Sequence, residues 1–288
     1  MKTSRLILSM ILVAGLTTGS APAQQKVKLG ENAALRYWSA FAQMQDSAIT
    51  DQQVKELSAI LDGTTPYDDS RYKDLIEKNK HALETMARGT ALANCDWGLD
   101  YEQGPDTPID YAPKAVALAR LNVLYAFHLQ IVGDKEGSVR ALVAGLRFSR
   151  DAANGGSLLA TLLAKDSLIK HLRAIVFMLH SDGLSAPQRS MLQKALAQLG
   201  PDPLNWQSAI KLEMDVLSGL PSSSSAPSAR VTQAYVAALK DPSMLPKLQE
   251  VVATLPQTLQ GLIPNPERVL GNRQELTDKL REVRSMLQ

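Results

Sequence analysis

Apolar residues recur at helical spacing along almost the whole chain. No stretch alternates apolar and polar positions with the Val, Ile, Thr and aromatic enrichment of a strand. A chain patterned this way buries its apolar stripes helix against helix. The reading is therefore an all-α fold of antiparallel helical hairpins, a layered or solenoid-like array with no sheet. At 45% hydrophobic and 21% charged residues, the composition suits a folded core and not a disordered segment.

Capping residues set the expected boundaries. Asn32 opens a first helix whose stripe reads Leu35, Trp38, Phe41 and Met44. Thr50 with Gln53 forms a capping box for a second, carrying Val54, Leu57, Ile60 and Leu61 inward and ending at Gly63. A third runs from about Arg71 to Leu92 on Tyr72, Leu75, Ile76, Leu83 and Met86. Pro113 stands where a first-turn proline is tolerated, and Ala115 to Val132 is apolar nearly all round, so this helix is expected to be central. Gly133-Asp134 turns into a partner helix with Val139, Leu142, Val143 and Leu146, closed by Gly155-Gly156. Ser157 opens another, the Ser185/Gln188 box a further one, and a helix with Trp206, Ile210 and Leu217 follows Pro203. A short helix is expected near Val231 to Leu239, then a stretch broken by Pro242, Pro246 and Pro256, then a closing amphipathic helix on Leu276, Leu280, Val283 and Leu287.

The N-terminus carries a targeting signal. Lys2 and Arg5 precede an apolar run from Leu6 to Leu16, then small residues and Ala21-Pro22-Ala23, the pattern of a secretory signal peptide over 1–23. That run is too short to span a bilayer as a helix, which takes about 20 residues. The expected product is exported, periplasmic or extracellular, with no membrane span in the mature chain. Residues 24–218 read as the helical-hairpin domain. Residues 219–228, GLPSSSSAPS, read as a flexible Ser/Pro-rich linker, and 229–288 as a helical tail docked on the main domain. The helix from Arg273 to Leu287 is also a candidate for self-association.

Charge and motif content narrow the chemistry. Residues 24–112 hold 9 Lys/Arg against 15 Asp/Glu, and residues 113–288 hold 20 against 14, so an acidic half precedes a basic half. No dense basic cluster interleaved with aromatics suggests nucleic acid. The single cysteine, Cys95, excludes an internal disulfide framework and any zinc site with two thiolates. His81, His128, His171 and His180 lack the i, i+4 pairing of helical metal sites and are expected to be packed or surface residues. Ser-x-x-Lys occurs at Ser70/Lys73, Ser167/Lys170 and Ser208/Lys211 without its companion motifs. G-x-S-x-G, H-E-x-x-H, a phosphate-binding glycine loop and a dinucleotide fingerprint are all missing. No cofactor, metal or catalytic residue is assigned. Asp74/Lys78 and Glu275/Lys279 are expected i, i+4 surface ion pairs.

The segment Cys95 to Pro113, CDWGLDYEQGPDTPIDYAP, is long for a helix–helix connection and holds five carboxylates without a basic residue. Its rings are expected to plug the end of the helical layer, and Asp96, Trp97, Asp100, Tyr101, Glu102, Asp106 and Asp110 to form a surface for a protein or peptide partner. The carboxylate spacing does not fit an EF-hand. The contrasting reading is an envelope hydrolase using carboxylates of the same loop.

NAALRYWSAFAQM, with aromatics followed by small residues, resembles the opening helix of tetratricopeptide-like hairpins, and GDKEGSVRALVAGLRFSRDA is similar to such a repeat. The W-x2-L-G-x2-Y signature and a 34-residue period are absent, so the likeness is one of architecture. NAALRYW, CDWG and GDKEG together resemble secreted bacterial helical-hairpin proteins with no established activity, over roughly residues 31–180. That resemblance implies fold and export, and no chemistry.

Overall fold

A computed structural model describes residues 29–45, 50–104, 107–181, 183–218 and 225–288. The signal-peptide segment 1–23, Asp106 and residues 219–224 of the Ser/Pro-rich segment lie outside these. Among the described residues there are twelve α-helices and no strand. They are α1 (Ala33–Gln43), α2 (Asp51–Leu61), α3 (Lys73–Gly89), α4 (Ala112–Ile131), α5 (Lys135–Ala152), α6 (Leu158–Ser181), α7 (Ala186–Leu199), α8 (Trp206–Ser218), α9 (Ser225–Lys240), α10 (Leu245–Ala253), α11 (Gln257–Gln260) and α12 (Pro266–Leu287). Among the described residues, no helix is long and apolar enough to cross a membrane.

Local capping chemistry places the helix starts where the sequence predicts. The Asn32 side chain accepts from Ala34 N–H at 3.1 Å, Thr50 and Gln53 make a reciprocal box, Gln188 accepts from Ser185 N–H at 2.9 Å, and Asp134 accepts from Gly137 N–H at 2.7 Å. Gly133, at φ 88°, turns α4 back antiparallel onto α5. α4 is central as expected: it packs on α5, α6, α3 and α1, and Leu118, Leu121, Val123, Leu124 and Ala126 are fully buried on all its sides. Burying a leucine of this kind contributes roughly 2 kcal/mol.

Three expectations change. The buried face of α1 is Ala33, Ala34, Tyr37, Ala40 and Phe41, whereas Leu35, assigned to the core stripe, is 43% exposed. Alanines let α1 lie close on α3, and Tyr37 is fixed inward by a hydrogen bond that its hydroxyl donates to Asp151 Oδ2 at 2.6 Å. The Ser/Pro-rich segment is not linker throughout, because α9 starts at Ser225. The proline-broken stretch still holds α10, since Pro246 sits in a first turn, where its missing N–H is no loss.

The tail is docked. Leu276, Leu280, Val283 and Leu287 of α12 are buried in the chain's own core. Arg284 donates to Leu196 O and Gly200 O at 2.8 and 2.7 Å, and Gln193 donates to Leu287 O at 2.8 Å. The i, i+4 pair expected between Glu275 and Lys279 does not form. Glu275 reaches Lys165 on α6, and Lys279 pairs with Glu282 at 2.6 Å. Docking sets the rotamers that a lone helix would leave to local pairing.

Where α4, α5 and α6 meet, a buried polar network interrupts the apolar core. Asn122 Nδ2 donates to Ala141 O at 2.9 Å and lies 3.1 Å from His171 Nε2; His171 Nδ1 lies 2.8 Å from Ser167 O. A carbonyl only accepts, so these partners assign the proton to Nδ1 and leave Nε2 as the acceptor, a neutral imidazole. Complete burial holds its pKa down at about 4. Gly145 makes room for the network: an added Cβ would collide with His171 Nε2 and stand 2.5 Å from Asn122 Nδ2.

Two outcomes follow from this packing. Gly145→Ala should destabilise by about 2 kcal/mol, the cost of overpacking. The same change at Gly271, whose Cβ direction on α12 is open, should stabilise by about 0.5 kcal/mol. Chemical denaturation of both variants checks the contrast. For His171, the unfolded chain takes up a proton below about pH 6.5 and the folded chain only near pH 4, so stability is full above that window and falls as pH drops through it. At about 1.4 kcal/mol per pKa unit this amounts to about 3 kcal/mol. Urea unfolding at a series of pH values should show the advantage of wild type over His171→Asn shrinking by that amount between about pH 7 and about pH 4. A pH-independent difference would contradict the assignment.

Candidate functional site

The loop from Cys95 to Tyr111 is fastened to the carbonyl end of α5. The last four carbonyls of an α-helix have no partner within the helix. Here the loop supplies donors. Trp97 Nε1 donates to Asp151 O at 2.8 Å, Tyr111 Oη to Ala152 O at 2.6 Å, and Tyr101 Oη to Gly155 O in the turn that follows. Trp97 and Tyr111 stack at 3.8 Å between ring centroids and 8° between planes, and Trp97 packs further against Tyr37, Trp38 and Phe41 of α1. The loop's start is pinned to α1 as well: Asn32 Nδ2 donates to Asp96 O at 2.8 Å and Asp96 N–H to Asn32 Oδ1 at 2.9 Å. The NAALRYW and CDWG motifs thus meet in space.

Beneath the rings lies a buried acid. Asp151 is 3% exposed, accepts from Tyr37 and pairs with Arg150 Nη2 at 3.0 Å. Burial holds its carboxyl above the usual range, opposed by the Tyr37 hydrogen bond and the Arg150 charge. Burial, and then the neighbouring Asp151 charge, push the Tyr37 hydroxyl far up and keep it a donor. The Cys95 thiol lies 3.6 Å from Asp151 O. Burial, followed by the Asp151 and Asp96 carboxylates, raises it well above its ordinary value, so it is held as a thiol and not as a nucleophilic thiolate. These groups are arranged to hold the loop.

Two clefts open against the turn after α5. One, of about 350 Å³, is lined by Cys95, Asn154, Thr161, Asn205 and Ser208 among others. The other, of about 190 Å³, lies under the loop and is walled by Ile109, Leu159, Leu212 and Val216, with Tyr101 and Glu213 at its polar side. Leu159 is 55% exposed there, and Glu213 Oε1 accepts from Leu158 N–H at 2.8 Å, capping α6.

The predicted contact residues divide by chemistry. Asp96, Asp100, Glu102 and Asp110 are exposed, and none of them makes an ion pair among the described residues. Asp96 and Asp100 also accept from Gly98 and Glu102 N–H at 2.9 Å each, which stiffens the turns that carry them. Trp97 is buried and Tyr101 half-buried, so both act as anchors for the loop and not as open contact surface. Among the described residues no three side chains converge as a metal site. The histidines are scattered: His81 and His180 are exposed, His128 is buried with Nδ1 2.8 Å from Asp69 Oδ1, and His171 lies in the core network. Of the Ser-x-x-Lys lysines, Lys170 is paired with Asp166. Tyr37 and Asp151 fall inside the NAALRYW and GDKEGSVRALVAGLRFSRDA segments, but neither they nor Glu213 are singled out by the sequence as site residues. Comparisons of the chain with protein families, with curated proteins and with solved structures find no match.

Trp97→Ala should cost about 4 kcal/mol, through the cavity and the loss of the indole donor to the Asp151 carbonyl. Trp97→Phe keeps a ring and should cost less than half of that. Thermal unfolding with limited proteolysis checks both: cleavage within 95–111 should accelerate strongly in the alanine variant.

Proposed function

We propose that this chain is an exported, non-catalytic helical protein that binds a basic segment of a protein or peptide at the acidic loop 95–111. The observation that carries the reading is the combination of exposed carboxylates at Asp96, Asp100, Glu102 and Asp110, which make no ion pair among the described residues, with a backbone anchored by buried rings. A loop ordered in advance loses little conformational entropy on binding. The 190 Å³ cleft beside it offers Ile109, Leu159 and Val216 to an apolar side chain next to the cation, with Glu213 at its edge. The preferred ligand is therefore an extended segment mixing Lys or Arg with one or two aliphatic residues. Tetratricopeptide-like stacking of hairpins suits such recognition, and the signal-peptide pattern of residues 1–23 supports a site in the periplasm or outside the cell.

A labelled peptide of lysines interspersed with leucines, titrated against the mature chain, tests this. Asp100→Asn/Glu102→Gln/Asp110→Asn should weaken binding by about tenfold or more and flatten its salt dependence, with the melting temperature nearly unchanged. Equal affinity and equal salt dependence in the variant would overturn the reading.

A further inference from the structure

A second groove, on a different hairpin, has the opposite charge character. It runs between α9 and α10, encloses about 270 Å³, and is lined by two matched stripes. Arg230, Gln233, Ala234 and Ala237 stand at i, i+3, i+4 and i+7 on α9, and Met244, Lys247, Leu248 and Val251 repeat that spacing along α10 and its first cap. This is the spacing of helix surfaces that face a third helix. Leu248 is fully buried and closes the floor, while Ala234 and Ala237 keep the α9 wall low enough for another backbone to approach. Among the described residues, no acidic side chain lines the groove. Arg230 on one wall and Lys247 on the other are both exposed, and neither makes an ion pair among the described residues. α12 packs mainly on α6 and α7 and also touches α9 and α10, and none of its described residues lines this groove.

We propose that the α9–α10 groove is a docking site for an acidic amphipathic helix of a partner protein. Its apolar residues at i, i+3, i+4 and i+7 lie on Ala234, Ala237, Met244 and Val251, and its flanking carboxylates face Arg230 and Lys247. Eight residues of each wall, seven helical rises, give a groove roughly 10 Å long, two turns of a docked helix. With a cation on each wall, the groove selects a helix that carries acids on both flanks of its apolar stripe. This site is independent of the acidic loop, and the two would engage segments of opposite charge.

The test uses the mature chain and two labelled helical peptides of identical leucine spacing, one flanked by glutamates and one by lysines, followed by fluorescence anisotropy at low and high salt. The glutamate peptide should bind at least about tenfold tighter, with an affinity that falls as salt rises. Arg230→Glu/Lys247→Glu should reverse the preference, and Ala237→Trp, which fills the groove, should abolish binding of either peptide there. Both charged positions are exposed, so melting temperature serves as the folding control, and Asp100→Asn/Glu102→Gln should leave glutamate-peptide binding unchanged. Equal binding of the two peptides, or full affinity in Ala237→Trp, would overturn the proposal. So would displacement of the peptide by dodecanoate at micromolar concentration, which would assign the groove to an acyl anion. A concentration-dependent rise in mass abolished by Arg230→Glu/Lys247→Glu would assign it to a second copy of the chain.

Discussion

The carbonyl end of α5 is the constraint around which the N-terminal half is organised. Helix C-termini are ordinarily satisfied by water or by a left-handed cap. Here the end of α5 is covered, and its carbonyls at Asp151 and Ala152 receive donors from Trp97 and Tyr111. The Asp151 carboxylate takes the Tyr37 hydroxyl, so α1, the loop and α5 share one buried junction. Each donor is also an aromatic ring that excludes water from the bonds its neighbours make, which raises the cost of removing any one of them. An acidic loop that would otherwise be held apart by its own charges is thereby anchored, its carboxylates at Asp96, Asp100, Glu102 and Asp110 outward.

The same logic recurs at the α4, α5 and α6 crossing. Asn122, Ser149, Ser167 and His171 satisfy one another and nearby carbonyls, and the absence of a side chain at Gly145 makes the space. Such a network contributes less to net stability than to fixing how three apolar helices register, because a slipped register would leave these groups unpaired. Its dependence on a neutral imidazole ties the register to pH. The Asp151 junction is biased the other way, since its carboxyl titrates above the usual range.

What the sequence made legible was local. Caps at Asn32, Thr50 and Ser185, the turn at Gly133-Asp134 and the all-round apolar character of α4 depend on residues within a turn or two of one another, and each lies where it was expected. The failures were non-local. Leu35 outranks Ala33 and Ala40 by hydrophobicity, yet close approach to α3 and the Tyr37 bond to a residue 114 positions away decide which face of α1 is buried. Trp97 read as contact surface because its partner, the Asp151 carbonyl 54 positions on, carries no sequence signature. Glu275 found Lys165 instead of Lys279 for the same reason. In the loop, composition identified the exposed carboxylates, and only the fold separated them from the rings that hold them.

Two surfaces of opposite charge therefore sit on one scaffold: carboxylates over the end of α5, and cations along the α9–α10 groove. Both depend on order in the elements that carry them, and the loop depends most on its buried anchor. The most direct test is hydrogen exchange of the loop 95–111 amides in wild type and in Tyr111→Phe, which removes one hydroxyl and leaves the ring. A loop built into the fold should be protected in wild type together with α1 and the end of α5, and should lose that protection in the variant while α9 to α12 keep theirs. Rapid exchange of the wild-type loop beside a protected α5 would contradict the account.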